Sequence, residues 1–183
     1  NDATNGFQKL LNEQEAQLLA QLENRKAFSD EIDWNEWEVK FQEFDQLLLP
    51  SVFASWGPEI LNQIIIGIDF NADNQLIHEF IQDHSYRMAV NVNATTKKKI
   101  QDIFDIAVDN GESVPQIMKR IRAEFDNIGK VRANMIARSE IMRAHNASSE
   151  MAYIQSGVVE FKQWYTARDE RRCFPENTQI ETD

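Results

Sequence analysis

The 183 residues carry 19 Lys+Arg against 30 Asp+Glu, a formal net charge of −11, with 42% apolar content and a single cysteine. That balance excludes wholesale disorder and blanket nucleic-acid binding, which needs a net positive face. One thiol, Cys173, excludes an internal disulfide framework and a multi-thiolate metal site within the chain.

Apolar spacing along the chain is mostly helical. Phe7, Leu10, Leu11, Leu18 and Leu22 form one stripe in a polar segment, a helix that needs a partner over that stripe. Asp33 followed by Glu36 reads as a capping-box-like start. Trp37, Phe41, Phe44 and Leu48 then recur at helical steps, and Pro50 is expected to end that helix. Residues 51–57 read as a short apolar link, with Pro58 at the first position of a new helix carrying Ile60, Leu61, Ile64 and Ile65 inward. The β-branched stretch 64–70, broken by Gly67, suits a loop or a short strand.

Asp73 is expected to open a further helix with Leu76, Ile77, Phe80, Ile81 and Met88 inward, and Thr95 or Thr96 to cap the next. Asn110-Gly111 stops that one by left-handed C-cap chemistry. Ser113 caps a short helix with Pro115 in its first turn and Ile117, Ile121 and Phe125 inward. Gly129 is read as a turn, followed by a long helix over about 130–155 ending at Ser156-Gly157. Val158, Val159, Phe161, Trp164 and Tyr165 are β-prone without helical spacing, which predicts one or two short strands. The fold class expected is mainly α, a helical domain with a small C-terminal β element. No apolar run approaches the roughly 18–20 residues of a membrane-spanning helix. No basic-then-apolar leader is visible, and Asn1 in place of Met points to a piece of something longer.

Charge is unevenly placed. Residues 1–96 hold 5 basic and 16 acidic residues, whereas 97–183 hold 14 of each. Between 119 and 143 lie 7 basic residues (Lys119, Arg120, Arg122, Lys130, Arg132, Arg138, Arg143) and 3 acidic ones. This strip reads either as a solvated helix face or as a local contact for DNA or an acidic surface. His78, His84 and His145 lie in no metal-type spacing and are read as structural or solvated. There is no glycine-rich phosphate loop, no nucleophile elbow and no catalytic triad to defend. No cofactor and no catalytic residue is expected.

The long helix is the more specific signal. Small residues (Ala133, Ala137, Ala144, Ala147) allow close approach, while Arg132, Arg138, Glu140 and Arg143 alternate with Met135, Ile136 and Met142. The two readings are a solvated ion-pair face and a polar network, Arg138 and Glu140 foremost, locking this helix against the C-terminal strands. The segments RANMIARSEIMRAHNASSEMAY (132–153), SGV (156–158) and WYTARDERRC (164–173) resemble the phage head morphogenesis family of minor head proteins, the Mu F-like group. The residues that fit its pattern are Arg132, Ala133, Ile136, Ala137, Arg138, Ser139, Glu140, Asn146, Trp164, Asp169 and Arg171. The resemblance spans about 112–173 and is weak before that. It implies a portal-associated structural protein acting in capsid assembly and DNA packaging or ejection. Its partners would be the portal and other head proteins, in the virion or, during assembly, the host cytoplasm. DNA contact would run through Lys119, Arg120, Arg122 and Lys130.

The end departs from the family, since no second Cys follows Cys173. The segment CFPENTQIETD (173–183) is similar to the opening of an intein, in which Cys173 would be the splice nucleophile attacking the Arg172 carbonyl; a plain polar tail and a variant family tail are the other readings. The expected organisation is a helical arm (1–30), an acidic helical region (31–111), a minor-head-like core motif (112–172) and this tail (173–183). The alternative function is the N-terminal part of a larger autoprocessing or toxin-linked precursor.

Overall fold

The computed structural model describes residues 2–23 and 33–161. They form four helices: α1 (Asp2–Glu23), α2 (Trp34–Ile64), α3 (Gln75–Asp109) and α4 (Val114–Ser156). The mainly α expectation holds. Val158, Val159 and Phe161 follow α4 without forming a strand, and Trp164 and Tyr165 lie outside the described residues.

Several expected caps are where the sequence puts them. Asp33 accepts hydrogen bonds from the backbone N–H of Asn35 and Glu36. At the end of α3, Gly111 takes a left-handed φ of 62°, its N–H reaches Val108 O and the N–H of Glu112 reaches Ala107 O. That double closure satisfies carbonyls the helix end would otherwise orphan. The Gln116 side chain reaches back to the N–H of Ser113 at 2.7 Å, closing the start of α4. Residues 65–74 form a loop, and Asn74, one residue later than expected, is the N-cap of α3.

Three breaks read from the sequence are not breaks. Pro50 and Pro58 both lie inside α2, so there is no link at 51–57 and Pro58 opens no helix. An interior proline costs a helix about 3 kcal/mol. Here Leu49 and Phe53, fully buried on either side of Pro50, keep their places in the core only if the helix continues, and that burial offsets the cost. Thr95 and Thr96 cap nothing; they sit within α3 with their hydroxyls returned to the carbonyls of Asn91 and Val92. Gly129 makes no turn but lies inside α4, where its missing side chain leaves room for Gln8 of α1.

The helices run alternately up and down, so that α2 and α4 are parallel and α1 and α3 oppose them. Residues from all four meet in a central apolar layer: Ala3, Phe7 and Leu11 of α1, Trp37 and Phe41 of α2, Met88, Ala89 and Val92 of α3, Ala133 and Ala137 of α4. Below it, Leu18, Leu22, Ile100, Ile121 and Phe125 form a second layer. Above it, Leu49, Phe53, Ile77, Ile81, Ala144 and Ala147 form a third. The alanines of α4 are what admit the bulky α2 side chains, because close-packed cores need small residues opposite large ones. The α1 stripe thus finds its cover on α4 and α2.

Between these apolar layers lie two polar ones. Gln14 of α1, buried, donates to Asn93 Oδ1 of α3 at 3.1 Å, and Asn93 donates to the Trp34 carbonyl at 2.8 Å. The other polar layer, between the central and upper apolar layers, contains Asp45, His84, Ser85 and Glu140.

Candidate functional site

The helical period places the upper polar layer. Along α2, Trp37, Phe41, Asp45, Leu49 and Phe53 are buried at steps of four, so Asp45 occupies a core position. Along α4, Ala133, Ala137, Glu140, Ala144 and Ala147 are buried at alternating steps of four and three. His84 and Ser85 fall between Ile81 and Met88 of α3. Three helices therefore deliver two carboxylates, an imidazole and a hydroxyl to one level of the core.

The contacts are specific. His84 Nε2 meets Glu140 Oε2, and Arg143 Nη1 donates to Glu140 Oε1 at 2.9 Å. Ser85 Oγ donates to Asp45 Oδ2 at 3.0 Å, while Asp45 Oδ1 is buried and, among the described residues, accepts no hydrogen bond. The His84 ring stacks on Phe80 with centroids 5.2 Å apart, which fixes its plane. One ligand-type atom from each of Asp45, His84 and Glu140 lies within 4.8 Å of the others. Asp45 and Glu140 are all but fully buried, at 0% and 2% exposure. Burial, first, and the neighbouring Glu140 charge push the Asp45 carboxyl up to about 6; Ser85, His84 and Arg143 pull the other way. A cleft of about 440 Å³, lined by His84, Arg87, Arg143, Asn146 and Glu150 among others, opens on this layer from solvent.

The other residues singled out in the sequence are dispersed. Arg132 is half-buried at the edge of the central layer, next to Ala133, donating to Val92 O at 2.6 Å and to Thr96 Oγ1 at 2.9 Å. Burial lowers its guanidinium pKa, with Glu124 opposing. Arg138 is exposed on the opposite face of α4 from Glu140, and among the described residues no ion pair is formed with it. Among the described residues the polar network runs through Glu140, His84 and Arg143 to α3 and does not include Arg138; the C-terminal segment it was expected to meet lies largely outside them. Asn146 lines the cleft. Trp164, Asp169, Arg171 and Cys173 lie outside the described residues. In the basic strip, Lys119, Arg120, Arg122 and Lys130 are exposed. Arg120 forks onto Glu112, whose carboxyl it lowers, and Arg122 lies 3.9 Å from Glu23.

Asp45 and His84 were not legible as partners of Glu140. The only local signal was a polar residue interrupting an apolar stripe at the same step, Asp45 among Phe41 and Leu49, Glu140 among Ala137 and Ala144. The other histidines do not join them: His78 pairs with Asp73 at 2.6 Å on the surface, and His145 lies edge-on to Trp56 at 4.5 Å.

The chain is similar to an uncharacterized protein of Bacillus subtilis (strain 168), YqbB, with 23% identity over 163 residues. The match covers 89% of this chain but 52% of that relative, so the chain spans about half the relative's length. No family model matches the chain, and no solved structure matches it. Among the described residues no helix is long and apolar enough to cross a membrane.

Proposed function

We propose that this chain is the helical portion of a phage minor head protein that docks on the portal vertex and acts in head assembly, without catalytic turnover. The observation that carries this reading is the outer face of α4. Val131, Met135 and Met142 are 61%, 64% and 59% exposed, and with Arg138 they fall on one stripe at steps of four, three and four. The stripe lies within the segment that resembles the head morphogenesis family, on the side turned away from the bundle. Methionine and arginine are enriched at protein interfaces, and a contiguous apolar stripe on a rigid helix marks a docking surface. The motif is thereby divided in two. Ala133, Ala137 and Glu140 build the bundle, while Met135, Arg138 and Met142 meet the partner.

Co-expression with the portal protein encoded beside this chain, followed by size exclusion with light scattering, tests the proposal. A ring-sized complex that Met135→Glu and Arg138→Glu each abolish, with thermal stability unchanged, is the expected outcome. A wild-type chain that elutes alone at low and moderate salt overturns it. DNA contact through Lys119, Arg120, Arg122 and Lys130 belongs to the same reading, and predicts DNA affinity that falls steeply with salt.

A further inference from the structure

The Asp45–His84–Glu140 centre has the construction of a ligand set. Each carboxylate has one oxygen tied back from outside the centre: Asp45 Oδ2 by Ser85 Oγ at 3.0 Å, Glu140 Oε1 by Arg143 Nη1 at 2.9 Å. The remaining oxygens are left for the centre itself. Glu140 Oε2 faces His84 Nε2, and Asp45 Oδ1, in a residue with no solvent exposure, has no hydrogen-bond partner among the described residues. Ligating carboxylates are characteristically held in this way by outer hydrogen bonds. A purely structural lock does not need two carboxylates at one buried level, where their repulsion opposes folding. A divalent cation neutralises both at once.

We propose that Asp45, His84 and Glu140 bind one divalent first-row transition-metal ion, clamping α2, α3 and α4 together. Imidazole with two carboxylates suits Zn²⁺, Mn²⁺ or Fe²⁺; the imidazole disfavours Mg²⁺ and Ca²⁺, and the lack of thiolate disfavours Cu⁺. Ligand atoms around a tetrahedral ion with bonds of about 2.1 Å stand roughly 3.4 Å apart. The present spacing is within 4.8 Å, about 1.4 Å above that separation at most. Three protein ligands leave a coordination position for solvent, which the cleft beside Arg143 and Asn146 supplies. The ion displaces whatever protons the three groups hold, so binding tightens as pH rises.

The full chain is titrated with Zn²⁺ and, separately, Mn²⁺ by calorimetry at neutral pH, with thermal unfolding followed in parallel. One ion per chain is expected, with Tm raised by roughly 5–10 °C at a free concentration a hundredfold above Kd. Affinity falls at least about tenfold in Asp45→Asn and in His84→Gln and is retained in His78→Gln and Cys173→Ser. Asp45→Asn removes a buried charge and keeps the fold, so it reports even where His84→Gln does not fold. No saturable binding of either ion, or binding that Asp45→Asn leaves intact, overturns the proposal. Neither result bears on portal docking, which uses the opposite face of α4.

Discussion

Glu140 and His84 stand 56 positions apart in the chain and in direct contact in the core, Oε2 against Nε2. Truncating Glu140 to Ala strips His84 and Arg143 of their shared acceptor and leaves a void at a position that is 2% exposed. Breaking a buried pair from one side costs about 3–5 kcal/mol. Relief of the repulsion on Asp45 offsets part of that, so a loss near 3 kcal/mol is expected, lowering Tm by roughly 6–12 °C. Thermal unfolding in the presence of a chelator checks it.

Asp45 gives stability an inverted pH profile. Its carboxyl titrates at about 6 in the fold against an ordinary value of 3.8, so between those values the folded state holds a proton the unfolded state has released. This group's contribution is therefore fully present below about pH 4 and is lost as pH rises through 6. About two pK units correspond to roughly 3 kcal/mol. Asp45→Asn, which keeps an acceptor for Ser85, is expected to flatten this slope and to stabilise the metal-free chain by on the order of 1–3 kcal/mol at pH 7.5. Urea unfolding at pH 5 and 7.5 compares the two.

The same substitution has opposite signs at two interior helix glycines. Gly129→Ala brings a Cβ within 3.0 Å of Gln8 Nε2, the far end of a flexible side chain, so the helix-propensity gain of about 1 kcal/mol prevails. Gly57→Ala drives a Cβ to 2.2 Å from the Phe70 ring, which packs against the upper apolar layer. That ring must move, and a net loss of about 1–3 kcal/mol is expected. Denaturant midpoints of the two variants settle the signs.

Arg132 joins α4 to α3 through two donors on separate nitrogens, one to Val92 O and one to Thr96 Oγ1. Lysine keeps the charge but offers no such fork. Arg132→Lys is expected to cost about 1–2 kcal/mol, and Thr96→Val in the Arg132→Lys background to cost less than in the wild type; a double-mutant cycle measures that coupling.

Helices were legible wherever a local signal sufficed. Asp33, Ser113 and Gly111 act through neighbours a few residues away, and each is where the pattern put it. Pro50, Thr96 and Gly129 misled because their usual local meaning was overridden by contacts from elsewhere: Leu49 and Phe53 in the core, Arg132 on Thr96, Gln8 against Gly129. The site was half legible. Glu140 was marked by its charge inside a small-residue stripe, but its partners depend on how α2 and α3 align against α4, which no spacing within one helix reveals. Arg138 was marked by the same charge pattern and faces the other way, about 200° around the helix from Glu140 by simple period counting at roughly 100° per residue, a distinction that lies in the sequence itself.

Alternation of polar and apolar levels also determines how the helices can slide. Moving α4 by one turn, about 5.4 Å, would bring Glu140 to the level of Phe41 or of Leu49 and set an alanine against His84. Every such slip strands a carboxylate among hydrocarbon and leaves an imidazole unanswered, whereas an all-alanine seam would tolerate it. The upper polar level thus acts as an index mark that gives the parallel pair α2 and α4 a single axial alignment.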